Sequence, residues 1–152
     1  MELKVKKLSV NAKIPTYGSS GASGFDLYAL TDVTLYPSTV GLVSTGLSFE
    51  IPEGYEMQIR PRSGLSFKTK LRIANSPGTI DSDYRGHVQI IAENISHNAT
   101  EAIHIKAGDR IAQGVLNKVE RVNFREISDE DELSNTERGQ GGFGSTGVGS
   151  ES

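Results

Sequence analysis

The sequence predicts an all-β domain, a sandwich or barrel of many short strands, that ends in a glycine-rich arm. Three observations lead there. Apolar residues step by two through one short segment after another, the period of a half-buried strand. Turn-forming clusters separate those segments at close intervals. The composition, with 17 Gly among 152 residues and a hydrophobic share of 36%, suits a turn-rich soluble protein better than a helical one.

Taken in order, the alternating segments are Leu3-Val5, Phe25-Leu27-Ala29, Leu47-Phe49-Ile51, Tyr55-Met57-Ile59 and Ile103-Ile105. Val88 to Ile95 and Ile111 to Leu116 read as further strands. Between them fall the turns Tyr36-Pro37-Ser38, Ile51-Pro52-Glu53-Gly54, Ser76-Pro77-Gly78 and Ala107-Gly108-Asp109. A short helix is expected only over Gly64 to Lys70. After Phe124 the composition turns acidic at Ser128-Asp-Glu-Asp-Glu132, so a core over 1–127 and a linker plus arm over 128–152 are expected.

Bulk properties narrow the function classes. A chain of this length is most simply one domain with a real core. It has no cysteine, which excludes disulfides, thiolate nucleophiles and Cys-based metal sites. A net charge of −3 argues against a broad grip on nucleic acid, so phosphate binding would be local. The first residues lack the apolar run of a signal peptide and no later run could span a membrane, so a cytoplasmic location with no membrane partner is expected.

The tail, Arg138-Gly-Gln-Gly-Gly-Phe-Gly-Ser-Thr-Gly147, combines a free backbone with groups that suit a nucleotide. Its glycines let the chain wrap a ligand, Ser145 and Thr146 offer hydroxyls, Arg138 a cationic fork and Phe143 a ring face for a base. Most such tails are simply solvated. Gly139-x-Gly141-x-x-Gly144 matches a dinucleotide fingerprint, but too little chain comes after it to form the helix that fingerprint needs. Asp81-x-Asp83-x-Arg85-Gly86 has the outline of a calcium loop and fails as one, because Arg85 replaces an oxygen ligand and Ala92 stands where the bidentate Glu belongs.

Two further stretches carry chemistry. In Asn75-Ser-Pro-Gly-Thr-Ile-Asp-Ser-Asp-Tyr-Arg-Gly86 a tight turn is followed by two carboxylates, either of which, in a closed site, could deprotonate a water. Spacing alone does not choose between Asp81 and Asp83. Arg60-Pro-Arg-Ser-Gly-Leu-Ser66 is cationic and donor-rich, suited to phosphate oxygens, though alone it reads as a surface Arg beside a turn glycine. His87, His97 and His104 are scattered and read as structural or solvated. In a strand Arg110 and Gln113 point to opposite faces, which makes Arg110 a structural ion-pair residue of unknown partner if Gln113 faces a ligand.

Five stretches in order, Ala22-Ser-Gly-Phe-Asp-Leu27, Pro61-Arg-Ser-Gly-Leu65, Gly78 to Gly86, Gly108-Asp-Arg-Ile-Ala-Gln113 and Arg138 to Gly147, resemble the trimeric dUTPase family. The resemblance implies a distorted jelly-roll β-sandwich subunit with a flexible arm, in a homotrimer with active sites between subunits. It implies hydrolysis of dUTP to dUMP and pyrophosphate with Mg²⁺. Asp81 is then the general base, and Tyr84 packs on the deoxyribose and refuses a 2′-hydroxyl. Asn75 and the backbone of Gly78, Thr79, Ile80 and Asp81 read the uracil edge. Arg62, Ser63, Gly64 and Gln113 contact the phosphates. Arg138, Gly144, Ser145 and Thr146 close over the substrate, and Phe143 stacks on uracil. Asp26 meets the metal's water shell or supports the site. The Mg²⁺ is expected to ride on the triphosphate, since no carboxylate or His cluster could cage it.

One departure from the family pattern is Gly114, where a bulkier apolar residue is commoner, and looser packing beside the phosphate site is expected. A related fold, the dCTP deaminases, carries a catalytic Glu at the position of Ile91 here, which disfavours deamination. A non-catalytic dUTP-binding sensor is the other alternative; a carboxylate at Asp81 beside the phosphates argues against it.

Overall fold

The structure, a computed structural model, describes residues 1–128 and 133–143. The chain divides into two units, Met1–Glu120 and Arg121–Ser152. The first holds eleven strands and one helix among the described residues: β1 (Lys4–Lys7), β2 (Thr16–Tyr17), β3 (Phe25–Tyr28), β4 (Val33–Leu35), β5 (Thr39–Glu50), β6 (Tyr55–Arg60), α1 (Ser63–Lys68), β7 (Leu71–Ile73), β8 (Gly78–Ile80), β9 (Val88–Asn94), β10 (Ile103–Ile105) and β11 (Arg110–Lys118). The all-β fold expected from the alternation is the fold observed.

The strands form antiparallel sheets in the orders β1-β5-β9-β7, β2-β3-β11-β6-β8 and β10-β4. Inward residues of the two larger sheets merge into one core, with Phe25, Leu27, Met57, Ile59 and Ala112 from one and Val43, Leu47, Phe49, Val88 and Ile90 from the other. A fully buried Asn94 closes one end. Its Nδ2 donates to the carbonyls of Leu35 (3.1 Å) and Glu101 (2.8 Å), while its Oδ1 accepts from the Ser96 N–H, so no polar atom is stranded.

Two irregularities shape the surfaces built on these sheets. In β5 the register to β9 shifts between Ser44 and Leu47, and Gly46 takes a φ of +68° that suits a residue without Cβ. In β11 the register to β3 shifts between Arg110 and Ala112, so two residues of β11 span one of β3. The neighbouring Ile111 and Ala112 are both buried, which strict alternation would forbid.

Helix α1 buries no residue fully and has no side-chain N-cap. Its C-terminal end is held instead: Arg72 Nη1 donates to the carbonyls of Ser66 (3.1 Å), Thr69 (3.1 Å) and Leu71 (2.7 Å), and the Thr69 N–H returns to Leu65 O. A cation among the last carbonyls of a helix is favourable both as donor and against the helix dipole.

Gly114 overturns the expectation of loose packing. A Cβ there would stand 2.7 Å from Phe25 Cζ and 3.2 Å from Met57 Sδ, so the ring of Phe25 already fills the space. Tyr17 meets that ring edge-on at 5.7 Å between centroids. Gly114→Ala should therefore cost about 1–3 kcal/mol by forcing a buried ring aside, as overpacking does, read as a lowered urea midpoint at unchanged m-value.

Candidate active site

The first cluster stands on β3 and β11. Asp26 pairs with Gln113 across the two strands, which places both side chains on one face. The Asp26 carboxylate, 13% exposed, lies 2.9 Å from Arg62 Nε through Oδ1 and 3.4 Å from Arg110 Nη1 through Oδ2. Arg62 Nη1 also donates to Arg110 O (3.2 Å), and Gln113 Nε2 donates to Pro61 O (2.9 Å). One carboxylate thus orders two guanidinium groups, and Gln113 ties the β11 strand to the segment entering α1.

The β11 bulge brings this about and corrects the simple alternation argument. Arg110 pairs with Tyr28, and Tyr28 shares a face with Asp26, so Arg110 and Gln113 lie on the same face rather than on opposite ones. Arg110 is an ion-pair residue as expected, and its partner is Asp26. Gly24 lies within the first family-like stretch and has a role that the stretch alone does not reveal. A Cβ there would run into the Gln113 amide, so glycine is what lets Gln113 adopt this rotamer. Ser63 and Gly64 open α1, and a Cβ at Gly64 would meet nothing within 4 Å.

The second cluster stands on the β6–β8 pair and the start of β9. Gly78, Thr79 and Ile80 pair with Ile59, Gln58 and Met57. Asn75 packs over Gly78, where a Cβ would lie 3.2 Å from Asn75 Nδ2 and 3.3 Å from Ile59 Cβ. The Tyr84 N–H returns to Asp81 O (3.2 Å), a turn that brings Tyr84 back beside Asp81. The Tyr84 hydroxyl donates to His87 O (3.0 Å), and the ring covers Gly86 so closely that any Cβ there would collide with it. Thr79, Ile80, Asp81 and Tyr84 share the wall of a cavity of about 290 Å³ with residues from β5 and β9, among them Leu42 and Ile91. Asp81 is exposed, so its carboxylate is available to a ligand.

Leu42 and Ile91 join this wall without any signal in their own neighbourhoods. They are cross-strand partners, and only the β5–β9 register, invisible to local sequence pattern, brings them together. In the second unit Arg138 Nε donates to Gly141 O (2.8 Å), Gly139 has a φ of +52°, and Phe143 is fully exposed. Gly144, Ser145 and Thr146 lie outside the described residues. Among the described residues no group of three or more His, Cys, Asp or Glu could hold a metal ion, and no helix is long and apolar enough to cross a membrane.

Known proteins resolve the family. The family model for dUTPase matches residues 10–147. The chain belongs to the dUTPase family. It is 52% identical to the deoxyuridine 5′-triphosphate nucleotidohydrolase of Nautilia profundicola over 97% of this chain and 99% of that protein. The enzyme of the same name from Helicobacter pylori strain P12 is 47% identical over 97% and 98%. In three dimensions it is similar to the dUTPase of Staphylococcus bacteriophage 80alpha with dUPNHPP, with a TM-score of 0.88 and 30% identity over 97% of this chain and 99% of that one. Four of the five family-like stretches of this dUTPase supply the two clusters above, and the fifth is the arm.

Because Asp26 is mostly buried between two cations, Asp26→Asn should leave both guanidiniums without their shared anion. The expected loss is about 1–2 kcal/mol, discounted for the exposure of Arg110, and chemical denaturation of the variant beside the parent measures it.

Proposed function

We propose that this dUTPase hydrolyses dUTP to dUMP and pyrophosphate. The observation that carries the reading is the cavity shared by Asp81 and Tyr84, a carboxylate and a flat ring side by side just after β8. Asp81 takes a proton from a water whose oxygen forms a bond to the α-phosphorus. The bond from the α-phosphorus to the bridging oxygen breaks, and pyrophosphate leaves with the electron pair. Tyr84 packs on the deoxyribose and leaves no room for a 2′-hydroxyl. Asn75 and the backbone from Gly78 to Asp81 bind the uracil edge, and Asn75 already lies against Gly78.

Arg62, Ser63, Gly64 and Gln113 contact the phosphates. Two arginines beside a single aspartate leave net positive charge where a polyanion would bind, in a chain that is acidic as a whole. Of the two roles considered for Asp26, support of the site fits better than contact with a metal's water shell, since both its oxygens are engaged by arginines. The donor set suits Mg²⁺ carried by the substrate, not caged by protein, and such an ion supplies charge neutralisation on the triphosphate when bound. Arg138, Phe143, Gly144, Ser145 and Thr146 close over the substrate, and the subunits act as a homotrimer with sites between them.

The deaminase alternative lacks its acid. Ile91 stands at the required position, paired with Leu42 in the cavity wall, and its aliphatic side chain cannot shuttle a proton to a leaving amine. A binding-only sensor would gain nothing from an exposed carboxylate in that cavity.

Pyrophosphate release with Mg²⁺ is expected from dUTP and not from dCTP, dTTP or UTP. Asp81→Asn should retain binding of a non-hydrolysable dUTP analogue while turnover falls by about two to four orders of magnitude; turnover at the parent rate would remove Asp81 from its role. Truncation after Ser134 should leave a folded, assembled core with little activity. Full activity of the truncated protein would sink the closing role of the arm.

A further inference from the structure

We infer that His87 is a positioning residue for Tyr84, and through it for discrimination against the 2′-hydroxyl. The inference rests on the reading of Tyr84 as the residue that packs on the sugar. Tyr84 is half-exposed, and its ring hydroxyl donates to the backbone carbonyl of His87. Where that carbonyl sits therefore decides where the ring stands.

The segment that carries the carbonyl is pinned to the β5 bulge at three points. Ser48 Oγ donates to Arg85 O (2.7 Å), and Thr45 Oγ1 donates to Val88 O (2.6 Å). Between them the His87 imidazole reaches back: the Gly46 N–H donates to His87 Nε2 (3.0 Å), and Ser44 Oγ lies 2.9 Å from the same nitrogen. The Gly46 N–H also points at Ser44 Oγ (3.2 Å), so imidazole, hydroxyl and amide form one compact cluster. The outer two anchors hold the ends of the Arg85–Val88 stretch by backbone carbonyls. His87 is the anchor that uses its own side chain, on the residue whose carbonyl receives Tyr84.

The bulge is what makes this possible. The register slip between Ser44 and Leu47 takes the Gly46 N–H out of the regular β5–β9 ladder and leaves a donor that a side chain from β9's entry can take up. Gly46 itself is fixed, since a Cβ there would meet Ala12 and Leu30 at 2.9 and 3.1 Å. A rigid platform, an imidazole and a carbonyl thus form one chain of contacts that ends on the Tyr84 hydroxyl. A flat ring excludes a single hydroxyl only if it stands within a fraction of an ångström of its place, so the platform bears on selectivity more than on the chemical step.

The test compares kcat/KM for dUTP and UTP in the full-length protein and its His87→Ala, His87→Gln, Tyr84→Phe and Tyr84→Ala variants. His87→Ala should lower the dUTP-over-UTP ratio by about tenfold, with a smaller fall in kcat for dUTP. His87→Gln, whose side-chain carbonyl can accept from the Gly46 N–H, should recover most of that ratio. Tyr84→Phe, which keeps the ring and loses the bond to His87 O, should resemble His87→Ala and tests the inference even if the latter fails to fold. A parental ratio in His87→Ala or Tyr84→Phe, or a Gln variant no better than Ala, would overturn the role of His87. If Tyr84→Ala also keeps the parental ratio, the reading of Tyr84 itself has failed; if Tyr84→Ala loses it, only the inference has.

Discussion

The pairing of β11 with β3 on one edge and β6 on the other is the constraint on which the rest depends. β11 is the middle strand of the five-stranded sheet. It carries Arg110 and Gln113 of the first cluster and pairs with β6, the strand on which β8 of the second cluster is built. Gln113 faces Asp26 on one side and Arg60 on the other, while Gly114 faces Phe25 and Ile59. Moving that strand by one residue would turn Gln113 into the core and Gly114 out of it. The bulge between Arg110 and Ala112 is the other half of the same constraint. It adds the one residue that swings Arg110 onto the face of Asp26, where a strictly alternating strand would have pointed it away.

The two clusters differ in how they are built. The Asp81–Tyr84 turn is local: its bonds span three residues, and its shape comes from a glycine, a tyrosine and the short strand β8 before them. The cluster around Asp26 is long-range, since Asp26 and Arg110 are 84 positions apart in the chain. That difference sets what the sequence discloses. Asp81, Tyr84, Gly78 and Asn75 lie within one short run and read as a unit, and their contacts agree with that reading. Arg62 and Gln113 share a surface in the sequence only through family resemblance; the carboxylate that holds Arg62, and the bulge that turns Arg110 toward it, leave no mark in local periodicity.

Some strands escape the alternation for equally concrete reasons. Thr16–Tyr17, Val33–Leu35, Leu71–Ile73 and Gly78–Ile80 are too short for a period to register, and they are strands because their neighbours pair with them. In β5 only the end, at Leu47 and Phe49, shows the period, because the Ser44–Gly46 slip interrupts it and a run from Thr45 to Phe49 is buried on both faces. The helix is legible to within two residues, since α1 runs from Ser63 to Lys68. Histidine is the least legible residue type. Nothing beside His87 in the sequence indicates that its ring reaches back 41 positions to a backbone amide.

Helix α1 has a thermodynamic consequence of its own. It contributes no fully buried side chain, and Leu65 packs only partly against the core. Its order comes from the Arg72 guanidinium and the Thr69 turn at one end and from the held Pro61–Arg62 segment before the other. Little apolar area is re-exposed when such an element opens, so its opening free energy lies far below that of the strands around it. The amides of Ser63 and Gly64 should accordingly exchange with solvent on the timescale of a local fluctuation, while those of β11 wait for the whole domain to unfold. A phosphate-bearing ligand that fastens the helix start would then report its arrival as slowed exchange in this one turn, with the sheet beneath it unchanged.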